Sequence, residues 1–205
     1  HDQIDLNFKD PLVLIEFIEI VLLLLSKGVT TFRLDAVAFI WKKNGTSCVN
    51  LPETHEIVKL LRLIVNYINP HALIVTETNL PRKENLSYFG NNDEANWIYN
   101  FPLPPLILYT FLFEDSSKIS GWSKSMPPAQ INNAYLNFIA SHDGIGMRPA
   151  EGILDNIILD KLFKRVKKNG GKFSFRKVES KNKVYEANIT LFDALKRTDF
   201  DKDGI

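Results

Sequence analysis

Apolar residues follow two kinds of spacing over the first part of the chain. Residues 11–27 form a nearly continuous apolar run that starts at Pro11 and is followed by Gly28, which predicts a buried helix. In residues 52–69 the apolar side chains recur every three or four positions, as they do on one face of a helix. The pattern therefore predicts two long helices within the first 70 residues.

Short apolar runs rich in β-branched and aromatic residues separate the predicted helices and predict strands. The predicted strands are residues 30–35, 72–78, 97–101 and 136–141. A further helix should begin within the proline-rich stretch 102–105. Strands that alternate with helices favour parallel βαβ units, so the predicted fold class is α/β.

A complete TIM (β/α)8 barrel has eight strands in about 250 residues. This chain has 205 residues, and its pattern accounts for only half of those strands. We therefore predict a partial TIM barrel and expect the chain to be a piece of a longer protein. Half a barrel would expose apolar edges, so we also expect the chain to be inactive by itself.

The pattern changes after Gly146. Residues 153–168 predict an amphipathic helix with a basic end, which the glycine pair at 170–171 stops. Residues 172–188 are polar and are expected to form a hairpin. The predicted division of the chain is a partial barrel at residues 1–147, a small α+β excursion or lid subdomain at residues 148–196, and a tail at residues 197–205.

Composition and charge argue against two classes of partner. The chain has 25 Lys and Arg against 24 Asp and Glu, without the basic excess typical of nucleic-acid binding. The apolar run at residues 12–25 is shorter than the roughly 20 residues of a membrane span, and Glu16 and Glu19 interrupt it. The single cysteine, Cys48, fits a reducing compartment. We therefore expect a cytoplasmic protein that binds neither nucleic acid nor membrane.

Polar residues that could take part in catalysis follow three of the four predicted strands. Arg33 and Asp35 end the first, Glu77 ends the second, and His142 and Asp143 follow the fourth. Active sites of parallel barrels gather at the carboxyl ends of the strands. These residues are therefore candidates for one site.

Two carboxyl groups on neighbouring strands suit the cleavage of a glycosidic bond with retention. One carboxylate attacks the anomeric carbon and the other group protonates the leaving oxygen, with about 5–5.5 Å between them. Arg33 lies two residues before Asp35, so both side chains point to one side and Arg33 can keep Asp35 ionised. A single acid at a strand end is more often a solvated or capping residue, so spacing alone leaves catalytic and non-catalytic roles open.

Three segments carry a family resemblance. FRLDAVAF (32–39), IVTETN (74–79) and FIASHDGIG (138–146) resemble, in order, the signature regions of the α-amylase superfamily, glycoside hydrolase family 13. The resemblance implies a TIM barrel of which this chain would hold about strands 4 to 7. It also implies roles for six residues: Asp35 as nucleophile, Glu77 as general acid/base, Asp143 as transition-state stabiliser, Arg33 and His142 as substrate-binding partners, and Phe39 near the acceptor side.

Longer stretches, at residues 42–62, 99–111 and 141–154, are similar to the sucrose phosphorylase subfamily, and the last is nearest to its glucosylglycerate phosphorylase branch. This similarity implies glucosyl transfer from glucosylglycerate or sucrose to inorganic phosphate through a covalent glucosyl-enzyme, without a cofactor. An α-glucoside hydrolase or transglucosylase with the same acids, and an inactive sugar-binding remnant, remain alternatives. The oligomeric state stays open.

Two further features are expected to be unrelated to catalysis. Asp199, Asp201 and Asp203 match the opening of an EF-hand calcium loop, but the later ligands of such a loop, including its twelfth-position Glu, are missing. We therefore predict no metal site. His55 and His71 are expected at the surface or at helix ends.

Overall fold

The computed structural model describes residues 4–178 and 181–196 of the chain. Contacts between its residues divide it into two units. The first unit comprises His1–Thr78, Lys83–Tyr99 and Ala129–Leu136, and the second comprises Asn79–Arg82, Asn100–Pro128 and Asn137–Ile205. The predicted boundary between residues 147 and 148 stays a prediction, and the tail with its calcium-loop resemblance lies outside the described residues.

A parallel four-stranded sheet forms the centre of the first unit. Its strands are β1 (Thr31–Leu34), β2 (Leu73–Thr76), β3 (Trp97–Tyr99) and β4 (Ala134–Leu136). They pair in the order in which they follow one another along the chain, and each pair is parallel. The parallel α/β arrangement predicted from the alternating pattern is therefore confirmed.

Two helices connect and cover the first strands of this sheet. Helix α1 (Pro11–Ser26) precedes β1, and α2 (Pro52–Ile68) precedes β2, each with proline in its first turn. The buried face of α2 carries Ile57, Leu61 and Val65, which share one hydrophobic core with Phe32 of β1 and Ile74 of β2. Both helices form where the pattern predicts them.

The prediction that α1 is buried is wrong. Val21 is its only fully buried residue, and six apolar side chains are exposed: Leu12, Ile15, Ile20, Leu22, Leu23 and Leu24. The helix is apolar except at Glu16, Glu19 and Ser26, but β1 is the edge strand of the sheet, with β2 as its one partner among the described strands. Its neighbours therefore cover only part of the helix surface.

The fourth strand lies earlier than predicted. The sequence predicts a strand at 136–141, whereas β4 spans Ala134–Leu136. Its partner β3 ends at Tyr99, which pairs with Leu136 in the last register position. Beyond this point the chain turns into helix α4 (Leu103–Phe113), with Pro102 at its N-cap, so a longer β4 would have no β3 backbone to pair with.

Helices and an antiparallel sheet form the second unit. Its remaining elements are α4 (Leu103–Phe113), α5 (Ser117–Ser125), β5 (Ile145–Gly146), α6 (Asn156–Lys168), β6 (Lys172–Val178), β7 (Lys181–Asn188) and α7 (Leu191–Leu195), while α3 (Arg82–Ser87) spans the boundary of the two units. The predicted hairpin is confirmed as β6 and β7, and β5 adds to β7. The helix predicted from residue 153 begins at Asn156, because Asp155 caps it by accepting a hydrogen bond from the Ile158 amide at 2.8 Å. Among the described helices, none combines the length and apolarity that a membrane span requires.

A buried hydrogen bond joins a histidine and a carboxyl group in the first unit. The His55 Nδ1 atom lies 2.7 Å from Glu94 Oε2, and the two side chains are only 16% and 4% exposed. The imidazole also stacks on the buried ring of Tyr88, at 4.5 Å between ring centroids. His55 therefore lies near the start of α2, as the helix-end alternative predicts, but its side chain is not at the surface. A carboxylate buried this deeply requires a hydrogen-bonding partner.

We predict that His55→Ala lowers the free energy of unfolding by about 3 kcal/mol, because it leaves the Glu94 carboxylate buried without its partner. His55→Phe should lose nearly as much, since it keeps the stacked ring and removes only the hydrogen bond. His71→Ala, at an exposed position, should change stability by less than about 0.5 kcal/mol. Urea unfolding at neutral pH measures all three, and equal stability of the His55 variants and wild type would contradict the prediction.

Candidate active site

Arg33 and Asp35 lie at the carboxyl end of the edge strand β1. Arg33 is the next-to-last residue of the strand, and Asp35 directly follows its last residue, Leu34. The Arg33 Nη1 group donates a hydrogen bond to Asp35 Oδ1. The Asp35 side chain is 71% exposed. Partial burial alone would lower the pKa of Arg33, but its hydrogen bonds with Tyr99 and Asp35 outweigh that effect and raise the pKa. The guanidinium is therefore a permanent cation beside Asp35.

Glu77 lies at the same end of the neighbouring strand. It follows β2, and its backbone amide donates to the Leu34 carbonyl at 3.0 Å, which continues the ladder by one residue. Its half-buried side chain accepts a hydrogen bond at Oε2 from the Ala36 amide, also at 3.0 Å. Ala36 directly follows Asp35, so one backbone amide connects the Glu77 carboxylate to the Asp35 loop.

Ala36 adopts a left-handed backbone conformation with φ +45°, which is unusual for a residue other than glycine. This conformation turns the chain from β1 into a short 3₁₀ helix, Val37–Phe39. Val37 and Ala38 are buried and anchor that helix, while Phe39 is half-buried. Phe39 ends the short helix that follows the carboxyl end of β1, and its role near the acceptor stays a prediction.

His142 and Asp143 lie in the second unit, whereas Arg33, Asp35 and Glu77 lie in the first. The expectation that they end a strand is wrong: they occupy a tight turn closed by a bridge between Ser141 and Gly144, six residues beyond β4. Their side chains are exposed, with 3.3 Å between His142 Nε2 and Asp143 Oδ1.

Gly144 fixes the position of this turn. Its φ of +95° is a conformation that side-chain-bearing residues rarely adopt, and a Cβ atom there would lie 2.4 Å from the Ala187 carbonyl oxygen of β7. The Asn188 amide Nδ2 also donates to the Asp143 carbonyl at 3.4 Å. The turn therefore rests against the hairpin of its own unit.

Two residues outside the predicted set extend this arrangement: Tyr99 contacts Arg33, and Asn85 contacts Tyr99. The Tyr99 hydroxyl accepts a hydrogen bond from Arg33 Nε at 3.1 Å, and Asn85 Nδ2 donates to the Tyr99 carbonyl at 2.9 Å. Tyr99 ends β3 in the structure, whereas the predicted strand runs to residue 101, so the sequence pattern offered no strand-end signal at this position. Nothing in the sequence pattern indicates Asn85, because it lies in the six-residue helix α3 and acts through backbone and buried groups.

The chemistry of this group is that of two carboxyl groups and a fixed cation. Across the part of the chain that the structure describes, no three His, Cys, Asp or Glu residues come together as metal ligands. Asp35 has an arginine partner and solvent access, which suits a carboxylate that attacks a substrate. Glu77 is less exposed and receives a backbone hydrogen bond. The two acids therefore occupy different environments.

We predict that Gly144→Ala destabilises the chain by more than Gly152→Ala. Both glycines have positive φ, so either alanine should cost about 1–2 kcal/mol of backbone strain. A Cβ atom at Gly152 meets nothing within 4 Å, whereas at Gly144 it overlaps the backbone of β7. Urea unfolding gives the comparison, and equal losses for the two variants would show that the contact with β7 does not hold the turn.

Comparison with known proteins gives three results. The model of the α-amylase catalytic domain matches residues 1–145. Glucosylglycerate phosphorylases of Spirochaeta thermophila and Allomeiothermus silvanus are 44% identical over 201 residues and 46% identical over 202 residues, in each case 98% of this chain. These matches cover 34% and 36% of the two relatives, so the chain spans about a third of their length.

A solved structure gives the corresponding result for the fold. The crystal structure of sucrose 6F-phosphate phosphorylase from Thermoanaerobacter thermosaccharolyticum matches with a TM-score of 0.72 at 24% identity. The match covers 87% of this chain and 36% of that one. It supports an α/β fold of the TIM-barrel type, in agreement with the parallel sheet. The matched catalytic-domain model and the two phosphorylase relatives together show that this chain belongs to the α-amylase family, glycoside hydrolase family 13.

Proposed function

We propose that this chain supplies part of the active site of a glycoside phosphorylase. The enzyme would transfer a glucosyl group from a small α-glucoside, glucosylglycerate or sucrose, to inorganic phosphate. The observation that carries this proposal is the joining of Asp35 and Glu77 at neighbouring strand ends through the Ala36 amide. The choice of phosphate as acceptor draws its support from the two glucosylglycerate phosphorylases that resemble the chain over 98% of its length.

The proposed reaction has two steps with a covalent intermediate. The Asp35 carboxylate attacks the anomeric carbon while Glu77 gives its proton to the departing glycosidic oxygen, so that glycerate leaves and a glucosyl ester of Asp35 remains. A phosphate oxygen then attacks the same carbon and displaces Asp35, and Glu77 takes up the proton that the phosphate releases. Two inversions give glucose 1-phosphate with retained configuration.

Arg33 supports the first step by holding the attacking carboxylate ionised and oriented. We further propose that Asp143 and His142 bind sugar hydroxyls whose hydrogen bonds strengthen in the transition state, and that Phe39 borders the acceptor side. In this proposal β1 to β4 correspond to about strands 4 to 7 of the barrel, residues 148–196 form the excursion or lid, and the protein acts in the cytoplasm.

The test uses a segment-swapped enzyme, in which this chain replaces the matched 202-residue segment of the Allomeiothermus silvanus phosphorylase. We expect it to consume glucosylglycerate and form glucose 1-phosphate only when phosphate is present. An Asp35→Asn version, as the negative control, should form no glucosyl-enzyme detectable by mass spectrometry. Turnover that does not depend on phosphate would contradict the phosphorylase proposal and favour a hydrolase or transglucosylase.

A second prediction concerns the role of Glu77. In the segment-swapped enzyme, Glu77→Gln should lower kcat/KM for glucosylglycerate by about 10²- to 10⁴-fold, because the leaving oxygen then departs without a proton. Fluoride leaves with little need of protonation, so the rate at which glucosyl fluoride forms the glucosyl-enzyme should fall by less than about tenfold. Stopped-flow measurement with both substrates gives the comparison. Equal losses for the two substrates would assign Glu77 a role other than acid catalysis.

A further inference from the structure

Five hydrogen bonds and two peptide links connect the ends of β1, β2 and β3 in a closed ring of contacts, which we call the circuit. From Asp35 the circuit runs through Arg33 to Tyr99, and from there to Asn85 of α3. The Thr78 hydroxyl then donates to Asn85 Oδ1 at 2.5 Å. Thr78 follows Glu77, whose carboxylate accepts from the Ala36 amide and so returns the circuit to the residue after Asp35.

The two ends of this circuit differ in how firmly they are held. Asp35 is 71% exposed, so packing does little to fix its rotamer, and its orientation depends on the hydrogen bond from Arg33. Thr78 and Asn85 are 1% and 6% exposed. Hydrogen bonds between buried groups are well ordered because no water competes for them. The circuit therefore links the exposed Asp35 carboxylate to the well-ordered, buried pair Thr78 and Asn85.

Tyr99 makes the connection between the buried and exposed parts. Its carbonyl accepts from the buried Asn85 amide, and its hydroxyl accepts from Arg33 Nε. Arg33 uses a different nitrogen, Nη1, for Asp35. The Nε side of the guanidinium is thus bound to Tyr99, while its Nη1 group binds Asp35. The carbon at the centre of the guanidinium lies 5.5 Å from the Tyr99 ring centroid, so ring and cation are also in contact.

We propose that Tyr99 and Asn85 are positioning residues, which set the orientation of Asp35 relative to Glu77 without touching the substrate. The proposal rests on the proposed function of these two acids. Retaining transfer requires about 5–5.5 Å between the carboxyl groups, and small displacements of reacting groups slow the chemical step strongly. Neither residue carries a group that the reaction consumes, so their effect must pass through Arg33 and Thr78.

The first experiment examines the hydrogen bond by itself, independently of activity. In the 205-residue chain with labelled arginine, NMR should show the Arg33 Nε–H exchanging slowly with water. Tyr99→Phe keeps the ring contact but removes the acceptor, so this exchange should become faster by about tenfold. Tyr67→Phe is the matched control, because Tyr67 is 86% exposed on α2. Unchanged exchange in Tyr99→Phe would overturn the proposal.

The second experiment measures kinetics in the segment-swapped enzyme. Tyr99→Phe should lower kcat by about tenfold and leave KM for glucosylglycerate and phosphate within about twofold, because only the chemical step depends on the orientation of Asp35. Tyr67→Phe should leave both constants unchanged. A raised KM with unchanged kcat would mean that Tyr99 binds substrate, and it would overturn the positioning role.

Asn85 is tested by Asn85→Asp, which preserves side-chain size and still accepts from Thr78 but loses the amide that donates to the Tyr99 carbonyl. It should reproduce the fall in kcat and the faster Arg33 exchange. Normal exchange with lowered kcat would remove Asn85 from the circuit. If the segment-swapped wild type shows no phosphorolysis while Tyr99→Phe still speeds the exchange, the proposed function fails and the circuit stands.

Discussion

The parallel pairing of β1 with β2 is the constraint on which the candidate site depends. Its register places Leu34 opposite Thr76, and the next bond, from the Glu77 amide to the Leu34 carbonyl, extends it by one residue. Asp35 follows Leu34 and Glu77 follows Thr76, so the two acids are neighbours across the strand pair. Parallel strands bring their carboxyl ends to one edge of a sheet, so a shift by one residue would turn one acid to the other face.

The chain uses buried carboxylates and accessible carboxylates for different purposes. Glu94 is almost fully buried and hydrogen-bonded to His55, so this contact connects α2 with the segment that leads to β3. Asp35 is exposed and paired with Arg33 at a strand end. Both acids have a hydrogen-bonding partner, and they differ in solvent access, which is what the role proposed for Asp35 requires.

The left-handed Ala36 is the point at which local backbone strain serves the site. Such a conformation persists only where the surroundings hold it, and here the buried Val37 and Ala38 and the bond to Glu77 do so. The chain thereby leaves β1 at a sharp angle directly after Asp35. Asp35, the proposed nucleophile, consequently lies at the turn that follows the strand.

The sequence by itself determined the two long helices of the first unit, the parallel α/β class, the hairpin and the family, because hydrophobic spacing reports secondary structure and short motifs report family. Tertiary structure decided what spacing cannot encode. It exposed α1, since β1 is an edge strand, and moved His142 and Asp143 from a strand end into a turn, since β3 stops at Tyr99. It also joined Asn85 to Tyr99. These outcomes depend on which surfaces meet, and that is a property of the packed chain rather than of any local pattern.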